Sequence, residues 1–200
     1  MSATPGATPI SLEDTNDLLP KHISTRQELN EWERANILKA REWALSPRVL
    51  RRWDPTDERY LRVLHQRMFD ETWRWAGKYR VRDGQNIGCP FVEISQRIPQ
   101  LIGSVRYWIG HTTYSIDEIA VRFHHRLVGQ IHAFPNGNGR HARLLADVLA
   151  VKHGRPVFTW GPPGGDVVDE SEVRRTYLEA LRALDADDRN IEPLLAFARS

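Results

Sequence analysis

At 200 residues, with 40% hydrophobic and 27% charged side chains, the chain has the size and balance of one soluble globular domain with a real core. A net charge of +2 without any basic block argues against nucleic acid as a direct partner, and the lack of any run of eighteen apolar residues argues against a membrane span. The single cysteine, Cys89, excludes an internal disulfide framework and suits a reducing cytoplasm, which is the expected location.

Residues 1–20, small, polar and proline-containing at the start, read as a flexible tail before a single domain over 21–200. A first helix is expected from Ser24 or Thr25 to about residue 44, with Leu29, Trp32, Asn36, Ala40 and Trp43 as its stripe and Thr25 with Glu28 as a capping box. The chain breaks at Ser46-Pro47. A second helix opens near Asp54-Pro55, carries Leu61, Leu64, Met68 and Trp75, and stops at Gly77.

The period then changes. Tyr79 and Val81 alternate, Asp83-Gly84 signals a turn, and Phe91, Val92 and Ile94 return, which predicts a small β-hairpin flap over 79–94. Helical spacing resumes with Ile98, Leu101 and Val105. Ser115 and Glu118 form another capping box, opening a central helix whose stripe is Ile116, Ala120, Phe123, Leu127 and Ile131. Further helices are expected at 140–154, after the glycine- and proline-rich loop from Gly161, and at 190–200. The fold class is all-α with one flap.

Between the central helix and its successor lies IHAFPNGNGRHARL, residues 131–144. Core packing does not call for two histidines, two glycines and two arginines so close together. Pro135 to Gly139 form the turn before a helix N-terminus, where free amides and the helix dipole favour an anion. Gly137 and Gly139 allow close approach to the main chain, Arg140 and Arg143 leave one face of the first helical turn, and His132 stands at the other lip as a proton acceptor. No GK[ST] follows the glycines, so this is not a Walker loop. His124, His125, His132 and His141 invite a metal-cluster reading, but adjacent histidines on a helix diverge by about 100°. No carboxylate completes an HExxH pattern either.

HAFPNGNGRHAR resembles the signature of the Fic family, HxFx(D/E)GNGRxxR, at every fixed position but one, and WAGKYR with the NIG-containing flap follows the family's order. Within that family the chain resembles the mobile-element-associated Fic proteins. The resemblance implies a helical Fic bundle with a hairpin flap over the active-site loop, and a protein adenylyltransferase that moves AMP from ATP, with Mg²⁺, to a Ser, Thr or Tyr hydroxyl of a target protein. Self-modification and self-association stay open. It further implies a catalytic set of His132 as base, Asn138 and Arg140. Gly137, Asn138, Gly139, Arg140 and Arg143 bind the nucleotide, with Arg143 on the γ-phosphate, and Phe134 anchors the loop. Arg82, Asn86, Ile87 and Gly88 of the flap hold the target backbone.

Asn136 departs from the pattern. The family has Asp or Glu there as a magnesium ligand, and an amide oxygen holds a hard cation more weakly. That leaves room for a nucleotide-binding module with little turnover, or for transfer of another phosphate-linked group or removal of AMP. Gly139 stands where the phosphorylating Doc branch carries lysine. Ser24 to Glu28 fits the start of the family's inhibitory pattern, (S/T)xxxE(G/N), so Glu28 is expected to occupy the space that Arg143 needs; the same glutamate also serves the capping box of Thr25.

Overall fold

Thr25 Oγ1 accepts from the Glu28 N–H at 3.2 Å while the Glu28 carboxylate accepts from the Thr25 N–H at 3.0 Å. This closed capping box opens α1, Arg26–Ala44. The computed structural model describes residues 16–83, 87–161 and 170–200. The buried stripe of α1 is Leu29, Glu33, Asn36, Ala40 and Ala44. The helix is thus rotated from the expected face, with Trp32 at the surface and Glu33 inside. Trp32 uses its indole N–H on the Glu71 carbonyl, 3.1 Å away.

The proline at the Ser46-Pro47 break starts a short helix, α2, Pro47–Arg52. Asp57 caps α3, Glu58–Phe69, by accepting from the Arg59 N–H at 2.8 Å. The helix ends at Phe69 rather than Gly77, because the chain doubles back until the Gly77 N–H reaches Nδ1 of His65 at 3.0 Å. Trp75 therefore lies outside the helix, stacked on Trp73 at 5.2 Å. The packed chain also extends ahead of residue 21. Leu18 is buried, and Leu19 and Asp17 pair by backbone hydrogen bonds with Thr72 and Arg74.

The hairpin expected over 79–94 is not seen among the described residues, where the one β feature is the isolated bridge between Leu18 and Trp73. The two limbs pair with the signature loop instead of each other. The Arg80 N–H donates to the Ala133 carbonyl at 2.9 Å and the Cys89 N–H to that of Ile131 at 3.4 Å. An isolated two-stranded ribbon is marginal in water, so such partners displace it readily. Phe91–Glu93 then forms a 3-10 turn into α4, Ile94–Gly110.

Ser115 caps α5, Ile116–His125, but Glu118 turns its carboxylate to Arg122 at 2.9 Å, so only half of the expected box forms. α5 continues as a π-helical turn, Arg126–Ile131, ending at His132. Next come α6, Asn138–Lys152, α7, Glu170–Ala186, and α8, Glu192–Arg199. α6 is buried on nearly every side; α5 packs along it, α3 joins it to α1, and α8 lies on α5 and α7. No helix among the described residues is long and apolar enough to cross a membrane.

Candidate active site

The signature loop runs from the π turn to the start of α6. His132 has a left-handed backbone, φ +52°, and its N–H donates to the Leu127 carbonyl at 2.9 Å. Its Nδ1 lies 3.0 Å from the Val128 carbonyl. A carbonyl can only accept, so Nδ1 carries the proton and Nε2 keeps its lone pair. Burial holds this imidazole below its ordinary range and keeps it neutral. Gly88 crosses directly over it with φ +88°; a Cβ there would meet His132 Cβ at 2.5 Å and the Ile131 carbonyl oxygen at 2.6 Å. Arg80 fastens this crossing, its guanidinium donating to the carbonyls of His132, at 2.7 Å, and Cys89.

Asn138, expected among the catalytic set, has its amide engaged with the loop itself. Its Oδ1 accepts from the Phe134 N–H at 2.9 Å and its Nδ2 donates to the Phe134 carbonyl at 2.8 Å. It is therefore a clamp. Phe134 sits in the core, stacked on His65 with centroids 3.6 Å apart. Gly137 is the N-cap of α6 at φ +77°, with Phe69 Cζ only 2.4 Å from where a Cβ would stand. Among the described residues no side chain caps α6, and none lies within 4 Å of where a Cβ of Gly139 would stand. The partial positive charge of the helix start is thus accessible to an anion.

The two arginines take different partners. Arg140 Nη1 pairs with Glu33 Oε2 at 2.5 Å and lies over the Phe69 ring, whereas Arg143 lies 4.8 Å over Tyr177 of α7 with its Nε buried and unpaired among the described residues. Glu33 also accepts from Trp73 Nε1 at 2.7 Å. Glu28 is elsewhere. Its carboxylate accepts from the Ser24 N–H at 2.9 Å, the Ser24 hydroxyl and the Thr25 N–H, with no contact to Arg143. The expectation that Glu28 fills the space of Arg143 is thus corrected: hydrogen bonds of the helix cap hold Glu28, and Glu33, five residues on, is the carboxylate that reaches the signature.

Asn136 Oδ1 accepts from the Gly137 N–H at 2.6 Å. A magnesium ion would find there one neutral oxygen that is already hydrogen-bonded, a donor set that does not by itself suit a hard cation. No group of three His, Cys, Asp or Glu side chains stands ready for a metal among the described residues. The other histidines of the α5–α6 region are dispersed. His124 meets the Tyr177 hydroxyl at 3.0 Å, His125 pairs with Asp185, and His141 reaches the Leu61 carbonyl. Of the flap residues, Arg82 and Ile87 are exposed, and Asn86 lies outside the described residues.

Glu33, His65 and Arg80 escaped the sequence reading. Glu33 alone left a signal there, since it falls at helical spacing between Leu29 and Asn36.

Residues 55–150 match the sequence profile of the Fic/DOC family. The chain is similar to a Fic-domain-containing signalling protein of Bacteroides thetaiotaomicron, with a TM-score of 0.64, 20% identity and coverage of 81% of this chain and 66% of that one. It is also similar to the N-terminal Fic domain of a VirB-translocated effector of Bartonella sp. AR 15-3, with TM-score 0.63, 19% identity and coverage of 98% and 88%. The BepC effector of Bartonella tribocorum, solved with bound AMPPNP, gives 0.59, 18%, 97% and 92%. Among curated proteins no relative matches.

Proposed function

We propose that this chain, whose residues 55–150 are a Fic/DOC-family domain, transfers AMP from ATP to a serine, threonine or tyrosine hydroxyl of a target protein. One observation carries the reading: a histidine whose Nδ1 proton is engaged by the Val128 carbonyl, leaving Nε2 without a hydrogen-bond partner among the described residues, opens the loop that leads to the two arginines at the start of α6. The target oxygen gives its proton to His132 Nε2 and attacks the α-phosphorus of ATP. The bond from that phosphorus to the bridging oxygen breaks, pyrophosphate leaves, and AMP remains on the target. A base so placed contributes about 10²–10⁴-fold. The amides at the start of α6 and Arg140 neutralise charge on the inner phosphates, and Arg143 takes the γ-phosphate. The segment around Gly88, with Val81, Ile87 and Val92 exposed, receives the target. The AMPPNP bound by the Bartonella tribocorum relative supports a nucleotide triphosphate as substrate.

α1 restrains this machinery through Glu33, which holds Arg140 until a phosphate displaces it. The neutral Asn136 favours a second reading, a nucleotide-binding module with little turnover, because magnesium would then depend for its retention on the phosphates. Incubation with ATP, Mg²⁺ and a cell lysate, followed by mass analysis of modified proteins, separates the two. Transfer predicts adducts of one AMP that vanish with His132→Ala and increase with Glu33→Gln; an adduct of another mass points to a different phosphate-linked group. ATP binding with no adduct from any form, and turnover gained only by Asn136→Asp, would establish the module.

A further inference from the structure

Buried on α3, His65 has hydrogen bonds of opposite sense at its two ring nitrogens. The Gly77 N–H reaches Nδ1 at 3.0 Å, so Nδ1 must accept. The proton therefore sits on Nε2, which lies 3.1 Å from the Asn136 carbonyl oxygen and donates to it. The ring itself is stacked on Phe134 and fully buried. One imidazole thus joins the turn that follows α3 to the peptide between Asn136 and Gly137, immediately before the amides that open α6.

We propose that His65 is a positioning residue for the anion cradle. It orients the 136–137 peptide through the directed sequence Gly77 N–H to Nδ1 and Nε2–H to the Asn136 carbonyl. Among the other ties of the loop, the Asn138 clamp and the Arg80 N–H hold residues 133 and 134, while the N–H end of the 136–137 peptide turns back to Asn136 Oδ1 at 2.6 Å. At residue 136 the main-chain oxygen is fixed by His65. A nucleotide phosphate at the start of α6 needs those amides pre-set, since hydrogen bonds formed only after reordering of a loop return part of their gain.

The inference rests on the nucleotide reading above, and two isosteres divide the ring's functions. Glutamine retains a donor at the Nε2 position but no acceptor near Gly77. Asparagine retains the acceptor and loses the donor to Asn136. ATP affinity, measured by calorimetry on the full chain, should stay within about threefold of wild type for His65→Gln and fall about tenfold or more for His65→Asn, the scale of one lost hydrogen bond. Thermal melts of both variants control for folding, because a space-filling role would move the two alike. Equal ATP affinity in the two variants would overturn the proposal. Should neither fold, long-range nitrogen–proton correlation spectra of wild-type protein decide: an Nε2–H tautomer for His65 supports the assignment, and an Nδ1–H tautomer overturns it. Wild-type protein that bound no ATP would sink the proposed function, and this inference with it; ATP binding that ignored the His65→Asn change would sink this inference alone.

Discussion

Glu33→Gln gives the sharpest handle on the restraint by α1. The Glu33 carboxylate is 5% exposed and makes two contacts, with Trp73 Nε1 at 2.7 Å and Arg140 Nη1 at 2.5 Å. Glutamine can still accept from the indole through its one amide oxygen, so the packing survives, but its NH2 then faces Arg140 and cannot accept from it, which releases the guanidinium. A hydrogen bond to a charged group is worth about 1.5–3 kcal/mol. The Arg140 side chain is 38% exposed, and solvent screening lowers that to about 1–2 kcal/mol. ATP has to break this pair to take Arg140, so Glu33→Gln should tighten ATP binding about 5- to 30-fold, as measured by calorimetry. Glu28→Ala is the comparison, because it loosens the cap of α1 and frees neither arginine. An affinity within twofold of wild type in a Glu33→Gln protein that melts normally would refute the reasoning, as would a larger gain from Glu28→Ala.

Three further outcomes follow from the geometry. Burial lowers the proton affinity of His132, so the acid limb of the transfer rate should have its midpoint below 6.5, the ordinary histidine value; a midpoint above it contradicts the assigned base. Burial raises the Asp147 carboxyl to about 6 from 3.8, although Trp160 and the Phe158 N–H both donate to it. Its stabilising contribution is present below 3.8 and lost as pH rises through 6. The stability advantage of Asp147→Asn, followed by thermal melts, should therefore grow by about 2 kcal/mol between pH 4 and pH 8. Gly137→Ala combines a left-handed φ with a clash at Phe69 and should cost about 2–4 kcal/mol, read from denaturant unfolding.

Much of the helical frame was legible because its signals are local. Thr25 with Glu28 and the Leu61, Leu64 and Met68 stripe are written within a turn or two, and the signature loop is a contiguous string. What was hidden depends on partners far along the chain. Glu33 is inside because Arg140 and Trp73 wait there, 107 and 40 residues away, and their attraction turned α1 so that Trp32 faced outward. His65 was unreadable for the same reason, since its partners lie 12 and 71 residues off. The alternation at Tyr79 and Val81 suggested a strand, yet the backbone amides there found the signature loop instead. Glu28 matched an inhibitory pattern by type and spacing, while the cap within three residues of it engaged the carboxylate.

The central claim is that His132 and the arginine-flanked start of α6 pass the AMP portion of ATP to a protein hydroxyl. Parallel reactions with ATP labelled at the α-phosphate or at the γ-phosphate, in the presence and absence of His132→Ala, test it most directly. The account predicts protein-bound label from the α-position alone, abolished by His132→Ala. Label arriving from the γ-position, or label from the α-position that persists without the imidazole, would contradict it.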